Sequence, residues 1–291
     1  MKIARFTEGG RTRLGLVVDG GIVDLAAAVP ELPTEMRAFL DAGPDVWAKA
    51  QAANDRAADF PLDAVKLENP VPDPGKVLAI GLNYADHIAE SGMKTPEHQL
   101  WFNKQHDCIT GPGDPVEVPA VAPDFVDYEA ELVMVIGRRG RHVPKDRAAE
   151  IVFGYTCGND VSVRDWQIRS QTMTMGKSFA THGPIGPWIV TADEFGDPHH
   201  AGVRCYVNDE ERQNSNTEHL IFDCFDQIEH LSAAFPLNPG DVIFTGTPHG
   251  VGGAMSPPSF LRAGDVVRVE IDGIGALENT MVDEKLETVV G

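Results

Sequence analysis

Carboxylates placed two apart on a strand can share a metal ion, and this chain has such a pair. The run Tyr128-Glu129-Ala130-Glu131-Leu132-Val133-Met134-Val135-Ile136 alternates as a strand. Side chains on a strand alternate faces, so Glu129 and Glu131 point the same way, followed by Val133 and Val135. Leu132, Met134 and Ile136 fill the other face. Two like charges at the rim of a buried strand are costly unless something positive neutralises them. Mg²⁺ and Mn²⁺ are oxygen-seeking and keep waters that a substrate displaces, and Ca²⁺ fits the same ligands. A third acid, Asp160, ends the apolar run FGYTCGND. An E-x-E pair alone reads equally well as two solvent-facing glutamates on an edge strand.

The stretch GLNYADHIAE, after the apolar run KVLAI, carries a second constellation. His87 and Glu90 are three apart and share a face of a helix, with Asn83 or Asp86 as its cap. A carboxylate beside an imidazole fixes its tautomer and raises its pKa, which makes a general base. Gly92 and Pro96 flank this helix and suggest a mobile lid. Lys177, between small residues in MGKSF, suits an oriented ammonium. Gln167 precedes it on a helical stretch. The loop Thr245-Gly246-Thr247 offers amides and hydroxyls to a carboxylate. Singly, each is an ordinary surface or loop residue; their weight is in the combination.

Short strands must position these groups. KVLAI, YEAELVMVIG, FGYTCGNDV, GPWIV, VRCYVND, DVIFTG and DVVRVEIDG are apolar or alternating runs bounded by turn residues. Helical stretches are fewer: SVRDWQIRS and TEHLIFDCFDQIEHLSAAF. This pattern predicts an α+β, β-rich fold with a closed or folded-over sheet. Residues 1–70 read as a small N-terminal α/β domain, with strands KIARF and LGLVV and helices TEMRAFL and DVWAKAQAANDRAADF. The Pro/Gly-dense NPVPDPGK marks its boundary with a catalytic domain at 71–291.

The 291 residues carry 44 acidic and 24 basic side chains, a net charge of −20. Such a field repels nucleic acid and anionic membranes. It also requires a local reversal of charge wherever an anionic substrate binds. Cys108, Cys157, Cys205 and Cys224 form no C-x-x-C pair, and the N-terminus lacks an apolar signal core. A cytoplasmic location is expected.

In order along residues 76–283, GLNYADHIAE, DYEAELVMVIGR, GYTCGNDVSVRDWQ, GKSFATHGPIGPW, VNDEERQNSNT, PGDVIFTGTPHGVG and GDVVRVEIDGIGALEN together resemble the fumarylacetoacetate hydrolase (FAH) superfamily. The resemblance implies a mixed β-roll catalytic domain, one Mg²⁺ or Mn²⁺, and a homodimer. It places metal ligands at Glu129, Glu131 and Asp160, and catalytic groups at His87, Glu90 and Lys177. Gln167, Thr245, Gly246 and Thr247 fall on substrate-binding positions. Some members carry arginine where this chain has Leu82; Arg164 and Lys104 are the candidates to replace it. The activity implied is hydrolysis of a C–C bond in a 2,4-diketo acid, through a metal-stabilised enolate and a water activated by His87 and Glu90. The alternative is an isomerase or decarboxylase of a small anionic 2-oxo acid on the same site, and a third reading is a catalytically silent metal binder. Loops 92–106 and 249–262 are expected to set specificity.

Overall fold

The computed structural model describes residues 1–92 and 94–290. Met93, inside one expected specificity loop, and the C-terminal Gly291 lie outside the described residues. The chain is α+β and β-rich, built on a mixed 12-stranded sheet and a 5-stranded sheet.

The strand Ala130–Ile136 runs through the middle of the large sheet and is buried along its whole length. It pairs antiparallel with Val152–Asn159 on one side and Val242–Phe244 on the other. Val242–Phe244 runs parallel to Val77–Gly81. The alternation read from the sequence has a direct counterpart. Leu132, Met134 and Ile136 enter one hydrophobic core, while Val133 and Val135 enter a second core on the opposite face. A strand buried on both faces has an apolar side chain at almost every position, so the acids at its start stand out.

Directionality places the site. Val77–Gly81, Val152–Asn159 and Val242–Phe244 all run opposite to Ala130–Ile136. Their C-terminal ends therefore gather at the end where that strand begins. Glu129 and Glu131 start it, Asp160 follows Val152–Asn159, Thr245–Thr247 follows Val242–Phe244, and the helix Ala85–Ser91 follows Val77–Gly81. Carboxyl ends of strands converging on one crevice are where α/β sheets place ligands.

The first 70 residues form strands and helices near the expected places: Lys2–Glu8, Arg11–Val18, Met36–Ala42 and Pro44–Gln51. The Pro/Gly-dense stretch after them is no break in hydrogen bonding. Lys2 and Ile3 pair with Val190 and Ile189, so the N-terminal strands extend the same large sheet. They also share a core with Val133 and Val135. The long helix expected over 217–235 is confined to Cys224–Ala234. Asp223 makes it start late: as N-cap it accepts from the Phe225 and Asp226 amides, with Asp226 returning the bond in a capping box.

Candidate metal centre and active site

Glu129, Glu131 and Asp160 converge, with one carboxylate oxygen from each lying within 4.8 Å of the others. The convergence follows from the register. Ala130 pairs with Asn159 and Glu131 with Gly158, and the Asp160 amide donates to the Glu129 carbonyl at 2.9 Å. All three residues are buried. Like charges at such a separation repel by about 3 kcal/mol at an effective dielectric of about 20.

Three cations answer part of that repulsion. Lys177 Nζ lies 2.8 Å from Glu129 and 2.9 Å from Asp160. Lys104 Nζ lies 2.6 Å from Asp160, with both side chains sealed from solvent. Arg164 bridges Asp127 at 2.8 Å and Glu129 at 2.5 Å. Burial alone would raise the Glu129 carboxyl, and Lys177 and Arg164 pull it below its ordinary value. Glu131 has no ion pair of its own among the described residues. Its bond from the Gly246 amide, at 2.6 Å, is worth about 1 to 3 kcal/mol. Burial, then Asp160 and Glu129, push its carboxyl well above the ordinary range. A buried all-oxygen donor set with one carboxylate left without a cation fits a hard divalent ion. It does not fit a self-sufficient salt-bridge network.

Above this cluster is a cavity of about 420 Å³. His87, Glu129, Arg164, Gln167, Lys177 and Thr247 supply its polar wall; Ile80, Leu82, Leu100, Phe102, Ile168 and Met173 supply much of the rest. His87 stands on helix Ala85–Ser91, and its Nδ1 lies 3.3 Å from Glu90 Oε2, so the dyad read from i,i+3 spacing is formed. Gln167 accepts from Arg164 Nη1 at 3.0 Å. Gly176 brings the lysine in close: a Cβ there would lie 2.2 Å from the Gln167 amide nitrogen.

The structure differs from the sequence expectation at several residues. Thr247 lines the cavity, but Thr245 and Gly246 do not. Thr245 Oγ1 donates to the Leu132 carbonyl at 2.8 Å, and the Gly246 amide is spent on Glu131. Gly246 sits at φ +105, where a Cβ would come within 2.8 Å of Asn83, so glycine is what lets this amide reach the carboxylate. Asn83 and Asp86 are not helix caps. The N-cap is Tyr84, with no side-chain bond. Asn83 instead ties Thr245 to Phe222, donating to their carbonyls at 2.8 and 3.0 Å. Of the two candidates to replace an arginine at position 82, Lys104 is committed to Asp160 and the Lys177 carbonyl. Arg164 lines the cavity, and its Nη2 is buried without a hydrogen-bond partner among the described residues. Asp127 and Gln213 were not singled out in the sequence. Asp127 anchors Arg164 and accepts from the Gly252 and Gly253 amides. Gln213 holds Ala130 and Thr247.

A strand-borne carboxylate triad beside a lysine, an arginine and a His–Glu helix, on an acidic β-rich fold, fits the class of enzymes that bind a divalent metal. Residues 76–282 match the fumarylacetoacetate (FAA) hydrolase C-terminal family, and the chain belongs to that family. It is 42% identical over 289 residues to an oxaloacetate tautomerase of Xenopus laevis named as mitochondrial, covering 97% of this chain and 90% of the relative. A solved 5-carboxymethyl-2-hydroxymuconate delta-isomerase of Mycobacterium smegmatis superposes with a TM-score of 0.78 at 35% identity, covering 98% of this chain and 100% of that one. Maleylpyruvate hydrolase of Sphingobium sp. SYK-6, solved with manganese(II) and pyruvate, superposes with a TM-score of 0.82 at 34% identity over the same shares. Proteins named as a tautomerase, an isomerase and a hydrolase are thus all represented among those similar to this chain. No helix among the described residues is long and apolar enough to cross a membrane.

Proposed function

We propose that this chain is a divalent-metal-dependent tautomerase or isomerase of a small 2-oxo acid, with oxaloacetate the first substrate to test. The observation that carries the reading is one cavity lined by His87 of the His–Glu dyad, by Arg164 with its unpartnered guanidinium nitrogen, and by Glu129 of the buried carboxylate triad. The extent of similarity to an oxaloacetate tautomerase favours this alternative over the C–C hydrolysis that heads the sequence expectation. Hydrolysis stays as the second reading, supported by the likeness to maleylpyruvate hydrolase.

In this reading Glu129, Glu131 and Asp160 hold Mg²⁺ or Mn²⁺. Such an ion supplies Lewis-acid charge to the oxygens of a bound 2-oxo acid. Arg164 Nη2 and Lys177 take the substrate's anionic oxygens, reversing the protein's acidic field where it matters. Glu90 holds Nδ1 of His87 and leaves Nε2 to move a proton at the carbon next to the carbonyl. Tautomerisation needs only that transfer and its return to or from the enol oxygen, with no water consumed. A homodimer in a cytoplasm-like reducing compartment belongs to the same proposal, and the solution mass tests the assembly.

The test follows the enol and keto forms of oxaloacetate by proton NMR with Mg²⁺ or Mn²⁺, with mass detection of products. The expected result is metal-dependent interconversion without release of fragments. Two acids from an acylpyruvate substrate would establish hydrolysis instead. Pyruvate and carbon dioxide from oxaloacetate would establish decarboxylation.

A further inference from the structure

Helix Ala85–Ser91 is too short to hold itself in place. It has seven residues and no side-chain cap, and it ends at Gly92. A helix of this length is unstable alone in water, so its seat must come from contacts outside it. Asp86 and Glu90 are four apart and face the same way, and both reach one loop. Asp86 Oδ2 accepts from His249 Nδ1 at 3.0 Å. Glu90 accepts from the Gly250 amide at 3.0 and 3.1 Å. Asp86 Oδ2 also accepts from the Ser215 hydroxyl at 2.6 Å. Ser215 lies on strand Glu210–Asn216, two residues from Gln213, which donates to Thr247 Oγ1 and to the Pro248 carbonyl at 2.9 Å each. Strand, loop and helix are therefore each tied to the other two. Burial would push the Asp86 carboxyl up, and Ser215, His249 and the His87 amide bring it below its ordinary value.

We propose that His249 and Ser215 are positioning residues: through Asp86 they seat helix Ala85–Ser91 against the 245–250 loop and so fix where His87 stands over the carboxylate triad. The seating stands on the geometry alone; its effect on rate rests on the proton-transfer reading of His87. Neither residue lines the cavity, and the His249 side chain is 45% exposed. Substitution there opens no buried void.

The experiment uses the full chain loaded with Mn²⁺, comparing the parent with His249→Ala, Ser215→Ala and the double variant. Backbone amide exchange, oxaloacetate turnover and Mn²⁺ affinity are measured for each. Amides of 85–91 are expected to exchange about tenfold faster in each single variant, the factor that loss of one hydrogen bond to a charged group commands, and faster still in the double variant, which loses two. Those of 130–136 and the Mn²⁺ affinity stay as in the parent. Turnover (kcat) falls roughly tenfold through misplacement of His87. His249→Asn, which keeps a donor near the Nδ1 position, and Ser215→Thr restore most of both losses. Unchanged exchange in 85–91 overturns the seating. Faster exchange with unchanged kcat overturns the link to His87, and a shared loss in 130–136 shows general loosening and overturns the proposal. A parent inactive on oxaloacetate would refute the proposed function, while the exchange comparison would still decide the seating.

Discussion

The carboxylate floor and the helix above it are built on opposite principles. Glu129, Glu131 and Asp160 sit on or beside two neighbouring strands buried on both faces, and the sheet ladder sets their spacing. The helix carrying His87 and Glu90 lies between an anchored Asn83 and Gly92, held by side-chain bonds to a loop and a strand. Local stability tracks such differences, with few-contact elements opening at far lower cost than core strands. On the proposed function the contrast divides labour: the floor would fix where an ion and an oxo acid bind, and the helix whether a proton moves.

The largest effect should come from the floor. Glu131→Gln is expected to abolish metal-dependent turnover, a loss of at least about a thousandfold, with weakened Mn²⁺ binding and the fold intact. It should not destabilise the metal-free protein. A carboxyl whose folded-state pKa lies above its ordinary 4.5 binds its proton more tightly when native, so metal-free stability falls as pH rises from there. The variant should lose that part of the slope. Thermal melts of chelator-treated parent and variant between pH 5 and about 8 check it; a variant melting well below the parent throughout would show that Glu131 stabilises the apo fold. Turnover at the parent rate in chelator-treated buffer would remove the triad from the reaction altogether.

Next in size is the helix. His87→Ala should cost about a hundred- to ten-thousandfold in kcat while leaving Mn²⁺ affinity at the parent value. Loss of both together would mean that floor and helix are one cooperative unit. Arg164→Lys comes third. It keeps the charge but loses the planar fork that spans Asp127 and Glu129 and frees Nη2. KM for oxaloacetate should rise about tenfold, with a smaller change in kcat. Asp127 keeps its bonds from the Gly252 and Gly253 amides, so the fold should survive.

The same contrast explains what could be read from the sequence. The floor was legible because strand alternation and an E-x-E at the start of an apolar run are local signals, and both faces of Ala130–Ile136 behave as the alternation requires. The dyad was legible for the same reason, being i,i+3 on one helix. What escaped was long-range. That Lys104 neutralises Asp160, 56 positions away, has no signature in its own neighbourhood. Nor does the Asp86–His249 contact, across 163 positions. The Thr245-Gly246-Thr247 loop follows its strand, but two of its three residues face the strand and the carboxylate instead of the cavity, because the turn's direction is set by Gly246 at positive φ. The pairing of the N-terminal strands with Gly183–Thr191 was likewise invisible, since sheet partners across a Pro/Gly-rich stretch leave no periodic trace.

The smallest effect should come from the turn that joins strand Val77–Gly81 to helix Ala85–Ser91. Leu82 lines the cavity in left-handed backbone, at φ 53, directly before Asn83. Leu82→Arg keeps the same backbone strain, because neither side chain is glycine, and it brings a guanidinium to a wall otherwise shared with Ile80 and Leu100. A diacid such as oxaloacetate should then bind more tightly, with KM falling about threefold, the scale of one partly exposed ion pair. A monocarboxylic 2-oxo acid bound through Arg164 and Lys177 should gain little. Comparing KM for the two substrates in parent and variant separates a positioned charge from a general one. If both fall by the same factor, the new guanidinium acts only by weakening the protein's acidic field, and specificity must be set elsewhere, in the loops beyond Gly92 and His249.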